Sequence, residues 1–354
     1  KFNSTFSNFE VLEISTATTN GDIIDVEKIN NVSQVTFLGA ATATTTINNL
    51  VSNGTVKLTA NTNNLTVNVK NVSTSNSDVL NLELSKTGAA LTTGTVTAAG
   101  VETININVAD AATAGSAAVT HTLTLVATDA TSVVVSGNNG LNLTNTGNTK
   151  ITTFDASGVV ANGSGDADAT LAVTFASANN TVGQAVKIIG GAGDDSLTGH
   201  ALANDTIIGG KGIDTITYTG GKDSFTGGEG ADTFDVNAKG TTVDSLYLTI
   251  QDLTKGDKID LDGIVTGTSA VSPLGTKVAV ASGATFGQAL DAASTGDGST
   301  NGVLKWFQFE SNTYLVVDNS AGATYVNAAD SVIKITGLVD LSTSTVATNI
   351  ITIA

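Results

Sequence analysis

Asp195, Asp214 and Asp232 occupy the same place in three copies of a nine-residue pattern, GGxGxDxUx, where U is aliphatic or aromatic. The copies begin Gly190-Gly191-Ala192-Gly193-Asp194-Asp195-Ser196-Leu197, Gly209-Gly210-Lys211-Gly212-Ile213-Asp214-Thr215-Ile216 and Gly227-Gly228-Glu229-Gly230-Ala231-Asp232-Thr233-Phe234. Two degenerate copies lie between them: His200 to Ile208 keeps Asp205 and Ile207, and Tyr218 to Thr226 keeps Gly221, Asp223 and Phe225. The chemistry of such a loop is hard-cation binding. A cation of this kind takes about six to eight oxygens, most of which a small turn can supply as backbone carbonyls. Glycines permit the positive φ that turns those carbonyls inward, and each aspartate adds a carboxylate.

The elements that hold these loops follow from position eight. A glycine-rich linker has no reason to place an apolar residue two positions after every aspartate, whereas a turn followed by a short strand does. The pattern resembles the RTX nonapeptide repeat, and the resemblance implies bound calcium and a parallel β-roll in which two repeats complete one coil. Loops on one side then recur every eighteen residues. Asp214 to Asp232 is eighteen residues, Asp195 to Asp214 is nineteen with Gly199 as the extra one, and Asp205 to Asp223 is again eighteen. We expect two good calcium sites, between Asp195 and Asp214 and between Asp214 and Asp232, with a poorer one between Asp205 and Asp223. Asp194, beside Asp195, joins the candidate ligands. Leu197, Ile216 and Phe234 should line one sheet, and Ile207 and Phe225 the sheet that faces it. Asp244 and Leu246 keep the six-to-eight relation in Thr241-Thr242-Val243-Asp244-Ser245-Leu246, which reads as a last, imperfect coil.

The chain has 354 residues, no Cys, no Met, one Pro, no Arg among its basic residues and a net charge of −17. Lack of cysteine fits an extracellular protein stapled by cations rather than by disulfides. The acidic balance argues against nucleic acid, because no basic patch is available to neutralise phosphates, and it favours divalent cations. No apolar run reaches the length of a membrane-spanning helix, and Lys1-Phe2-Asn3-Ser4-Thr5 is neither a start nor a signal peptide. We expect a further N-terminal portion to precede it.

From Phe9 to Phe175 short runs such as Val35-Thr36-Phe37-Leu38, Leu65-Thr66-Val67-Asn68-Val69 and Val79-Leu80-Asn81-Leu82-Glu83-Leu84 alternate apolar residues with Thr and Asn, the period of half-buried strands. Phe9-Glu10-Val11-Leu12-Glu13-Ile14 is echoed by Val101-Glu102-Thr103-Ile104-Asn105-Ile106, which suggests stacked solenoid coils; a β-sandwich competes with that reading. Past the repeats, Leu248 to Leu261 predicts two strands around a Lys-Gly-Asp turn. Thr285 and Gln288 have the capping-box spacing for a helix over Phe286 to Ala293. Lys305 to Glu310 and Tyr314 to Asp318 predict a hairpin about Ser311-Asn312-Thr313, with Trp306 as packing. The fold class is all-β: residues 1–180 form a Thr/Asn-rich strand assembly, 181–247 the calcium-binding β-roll, and 248–354 a β-rich C-terminal cap.

The repeats, followed by Asp252-Leu253-Thr254-Lys255-Gly256-Asp257-Lys258-Ile259-Asp260-Leu261 and the apolar end Asn349-Ile350-Ile351-Thr352-Ile353-Ala354, resemble the C-terminal region of RTX proteins exported by type I secretion. Upstream segments such as Val135-Ser136-Gly137-Asn138-Asn139-Gly140-Leu141-Asn142-Leu143 and Phe154-Asp155-Ala156-Ser157-Gly158 resemble surface-layer proteins of Gram-negative bacteria with RTX repeats. That resemblance implies a calcium-dependent lattice of identical subunits on the cell surface, anchored to lipopolysaccharide through the N-terminal portion. Asp22, Asp25, Asp78, Asp129, Asp155, Asp166 and Asp168 are candidates for calcium between subunits, although a solvated acidic surface is the default for any one of them. Enzymatic readings fare poorly. There is no HExxH, and only His121 and His200 could act as imidazole bases. His121 reads as a surface strand residue and His200 as the occupant of a loop position that no longer binds calcium. Asp260 and Asp262 read as acidic surface on one strand face. A secreted enzyme or a large adhesin carrying these repeats as its tail stays open.

Overall fold

Alternating Thr/Asn and aliphatic residues leave each strand one polar and one apolar face, and stacking coils is how the apolar faces leave water. The structure, a computed structural model, describes residues 9–18, 21–29, 32–72, 76–86, 88–109, 118–162, 168–238, 248–265, 274–294, 302–327 and 329–354. The chain divides into two compact units, Lys1–Thr181 with Val186–Ser196, and Val182–Ala185 with Leu197–Ala354.

In the first unit successive strands fall alternately into two sheets, and every pairing among the described residues is parallel. One sheet runs through Val11–Ile14, Gln34–Phe37, Gly54–Leu58, Val79–Leu84, Thr103–Val108, Ser132–Gly137 and Thr153–Val159. The other runs through Ile23–Asp25, Thr45–Leu50, Leu65–Val69, Thr92–Thr97, Thr120–Val126, Gly140–Asn145 and Val173–Ala176. This is a β-solenoid and not a sandwich. The register stacks like on like: Val35, Val56, Leu82, Ile106 and Val135 form one inward column. Phe154 and Phe175 stack across the core with ring centroids 4.0 Å apart. Outward positions stack too, and Asn105 Nδ2 donates to Asn81 Oδ1 at 2.8 Å while Asn81 Nδ2 donates to Asn53 Oδ1 at 3.0 Å. The echoed segments around Leu12 and Ile104 both lie in the first of these sheets.

One expectation fails here. His121 is fully buried and not on the surface; it pairs in register with Leu141, which pairs with Val173, so it occupies an inward column. Its Nδ1 accepts from Leu91 N–H at 2.9 Å and its Nε2 lies 3.4 Å from Asn139 Nδ2. Its threonine neighbours suggest exposure, but His121 is in phase with the buried Leu123 and Leu125.

The second unit begins with coils of eighteen residues. Ile207 pairs with Phe225 in one sheet and Ile216 with Phe234 in the other, all buried, and Leu197 is buried as well. The next coil is longer. Phe225 pairs with Ile250 and Phe234 with Ile259, so Ile250 takes the position that spacing gave to Leu246, and Asp223 pairs with Leu248 instead of Asp244. Asp244 itself, with the rest of Thr241 to Leu246, lies outside the described residues.

Antiparallel strands close the stack. Ser331–Ile335 still adds in parallel to Leu248–Ile250 and is followed, antiparallel, by Asn312–Asp318 and Val303–Phe309; Ile350–Thr352 adds antiparallel to Lys258–Asp260 and is followed, again antiparallel, by Thr345–Ala347. The hairpin turns one step earlier than its sequence suggested, at Glu310 and Ser311, which both have positive φ of 45° and 63°. That is the mirror-image turn whose twist suits two strands joined by two residues. The helix Phe286–Ala293 carries the expected capping box at Thr285 and Gln288, and packs Ala289, Leu290 and Ala293 on Phe307, Tyr314, Val316 and Val332. Trp306 is buried, its Nε1 donating to Gly275 O at 3.2 Å. Asp260 ends its strand, and Asp262 lies in the turn beyond, where its N–H donates to Asp260 Oδ1 at 3.0 Å and its Oδ1 accepts from Asn349 Nδ2. The two acids therefore do not share a strand face.

Candidate metal centre

Each repeat aspartate sits at the end of a glycine-rich turn, just before its strand, and there the stacking of coils buries it. Asp195, Asp205, Asp214, Asp223 and Asp232 are all buried. In the second unit they are tied along the stack by one repeated bond, in which the backbone N–H of each aspartate donates to the carboxylate of the aspartate one coil on. Asp214 N–H reaches Asp232 Oδ1 at 2.9 Å, and Asp205 N–H reaches Asp223 Oδ1 at 2.8 Å. The predicted pairs Asp214 with Asp232 and Asp205 with Asp223 are thus brought together on two separate columns. Asp195 belongs to the first unit, where its carboxylate accepts from Val173 N–H at 2.7 Å and from Gly191 N–H at 2.6 Å. Asp194 is half-buried beside it.

Burying anionic groups without cationic partners is costly, and protonation is one way out. Burial drives Asp195 up to about 7, with repulsion from Asp194 adding to it and two backbone N–H groups opposing it. Asp223 is pushed to about 8 by burial, with Asp205 adding repulsion, and Asp232 to about 6 by burial with repulsion from Asp257 and Asp252. Oδ2 of Asp223 and Oδ2 of Asp232 are buried without a hydrogen-bond partner. Among the described residues no three Asp, Glu or His side chains converge on one point, so a cation here takes paired carboxylates and otherwise backbone oxygens.

The loops supply those oxygens because side chains are excluded. Gly228 and Gly230 have φ of +107° and +148°, and a Cβ on either would collide with the carbonyl oxygen of Gly210 or Gly212 one coil below. Orphaned buried oxygens, a column of carbonyls and an all-oxygen donor set fit calcium. Asp214, Asp232 and the carbonyls of Gly210, Gly212 and Gly227 are the residues that would hold it. Gly230→Ala should lower the unfolding midpoint of the calcium-loaded protein by an amount equal to about 1 to 3 kcal/mol. Gly147→Ala, at a φ of +72° with open space around it, should cost less; thermal melts of the two variants side by side check this.

The second column is poorer in donors. Tyr218 Oη donates to the Gly221 carbonyl at 2.8 Å and so occupies an oxygen that a complete loop offers to a cation. Asp205 Oδ2 accepts from His200 N–H at 2.7 Å. The His200 ring fills the degenerate loop, its Nδ1 accepting from Leu202 N–H, which leaves Nε2–H to donate to Gln184 O at 2.8 Å.

Two acids that the repeat pattern passed over stand at the end of the first column. Asp257 Oδ1 accepts from Asp232 N–H at 3.0 Å, and Asp252 accepts from Gly227 N–H and Gly228 N–H at 2.9 Å each. The signal was in the sequence: Asp257-Lys258-Ile259 repeats the six-to-eight relation of Asp232-Thr233-Phe234.

Of the acids considered for calcium between subunits, Asp25 is held below the usual carboxylate range by hydrogen bonds from Asn49 and Lys28, and Asp129 likewise by Lys150 and Gly100 N–H. Asp155 caps Ser157, with its Oδ1 accepting from both N–H and hydroxyl. Asp22 is exposed and Asp78 buried. Asp166 and the side chain of Asp168 lie outside the described residues.

A family model described as the RTX calcium-binding nonapeptide repeat (4 copies) matches residues 187–216 and 202–234. The family binds calcium, and the match covers both columns of aspartates. A search of curated proteins finds no match to the chain.

Proposed function

We propose that the chain is a structural subunit of a bacterial surface layer, secreted by a type I pathway and assembled outside the cell into a calcium-dependent two-dimensional lattice. The observation that carries this reading is the first unit: a long parallel ladder whose outward Thr and Asn side chains bond from coil to coil, attached to calcium repeats. Such a scaffold presents repetitive faces rich in Thr and Asn to identical neighbours. Subunits of charge −17 repel at close range, over a screening length of about 8 Å at physiological salt, so a dense sheet needs bridging cations or tight neutral contacts. No catalytic role is assigned to any residue, and surface lipopolysaccharide is the proposed anchor of the lattice.

Assembly should require calcium beyond the level that folds the protein, and magnesium should substitute poorly because it dehydrates reluctantly. Light scattering and electron microscopy through a calcium titration test this. A folded protein that stays monomeric at every calcium concentration would sink the lattice and leave the repeats as the tail of a secreted enzyme or adhesin.

A further inference from the structure

The column of aspartates does not stop with the glycine-rich loops. Gly256, at a φ of +100°, turns the chain so that Asp257 enters the column, where Thr254 N–H and the Thr254 hydroxyl hold its Oδ2 at 2.7 and 3.2 Å. A further glycine loop would lie over Gly227 and Gly228, and the carboxylate of Asp252 lies there instead. One coil below, a Cβ placed on Gly209 would meet Asp214 Oδ2 and, at 2.5 Å, the carbonyl oxygen of Gly227. A Cβ placed on Gly227 would meet Asp232 Oδ2 in the same way. Asp232 Oδ2 is buried, has no hydrogen-bond partner and faces Gly227. The N–H of that same glycine holds Asp252.

We propose that Asp252, which lies beyond the residues matched by the repeat family, completes an additional calcium site at this end of the roll, with Asp232 and Asp252 as its two carboxylates and Asp257 as the positioning residue that fixes the loop. Where the inner coils offer a carbonyl, this one offers a charged oxygen, and carboxylate count is one of the properties that tune calcium affinity. The site stands whether or not the chain forms a lattice.

The test is the number of calcium ions bound per full-length chain, counted by native mass spectrometry and calorimetry for the wild type, Asp252→Asn and Asp252→Glu. Asparagine can still accept from a glycine N–H but brings no charge; glutamate keeps the charge. Asp252→Asn should bind one ion fewer, while Asp252→Glu should keep the full number with the affinity of one site weakened by about tenfold, or 1.4 kcal/mol. Far-UV circular dichroism in saturating calcium follows the fold of both. A difference between the two variants in ion count, or in ability to fold, supports the site. Equal behaviour, whether both keep every ion or both fail alike, overturns it and makes Asp252 a cap for the two glycine amides.

Discussion

Chelation at neutral pH is expected to unfold the coils that carry the repeat aspartates, while part of the β-signal survives in the first unit, whose aliphatic columns need no cation. The physical ground is a set of buried carboxylates that repel one another. Any ion that binds only the native state stabilises it by RT ln(1 + [Ca]/Kd), about 2.7 kcal/mol per site at a hundredfold excess over Kd. Two or three such sites rival a typical domain stability of about 5 to 15 kcal/mol. With the Kd of about 0.1 to 1 mM common in extracellular calcium modules, the repeat coils would stay unfolded inside a cell and fold outside.

Acid should partly replace the ion. Asp195, Asp223 and Asp232 have folded-state values raised to about 7, 8 and 6, above the unfolded aspartate. Their protonated forms therefore favour the fold below pH 4, and that contribution is lost as the pH rises through about 6 to 8. In chelator the unfolding midpoint should rise on going from pH 8 to pH 5; in saturating calcium it should fall, since protons then compete with the ion. Circular dichroism that ignores both chelator and calcium would refute the coupling.

Asp214→Ala should be the most damaging single substitution in the repeats. Asp214 is fully buried, and its Oδ2 lies with the Gly227 carbonyl beside Gly209, among the oxygens that would hold the ion. Losing that ion should cost about 2.7 kcal/mol at a hundredfold excess of calcium over Kd. Asp205→Ala should cost less, because His200 N–H already engages its carboxylate and Tyr218 already occupies a carbonyl of the loop above. Equilibrium dialysis with thermal melts decides: equal losses of bound calcium in the two variants would show that the columns are wrongly ranked.

The metal centre was legible because it rests on local rules. Positive φ demands glycine, a cation demands oxygen, and the strand that follows demands an apolar residue two positions on. Given the two-repeat coil that the resemblance implies, the pairs Ile207 with Phe225 and Ile216 with Phe234 follow from the spacing. What failed was counting across an interruption. The coil after Phe225 takes in twenty-five residues, and register there is set by which strand can bury its side chains, so Ile250 and Leu248 take the positions that spacing gives to Leu246 and Asp244. His121 shows a different limit in the first unit: a histidine among threonines looks polar, although its phase with Leu123 and Leu125 points inward. Whether the strands formed a solenoid or a sandwich depended on parallel or antiparallel pairing, which alternation does not encode.

The parallel ladder of the first unit also has a mechanical meaning. Among the described residues the strands of each coil there pair only with those of the coil before and the coil after it, so a pull along the stack loads one row of backbone bonds at a time and peels coils singly. Val133 follows Ile104 after twenty-nine residues, and Phe154 follows Val133 after twenty-one. At about 3.5 Å per extended residue, each detached coil pays out on the order of 70 to 100 Å of slack. A scaffold of this kind yields in instalments under tension, lengthening by many times its coil spacing before the next row is strained.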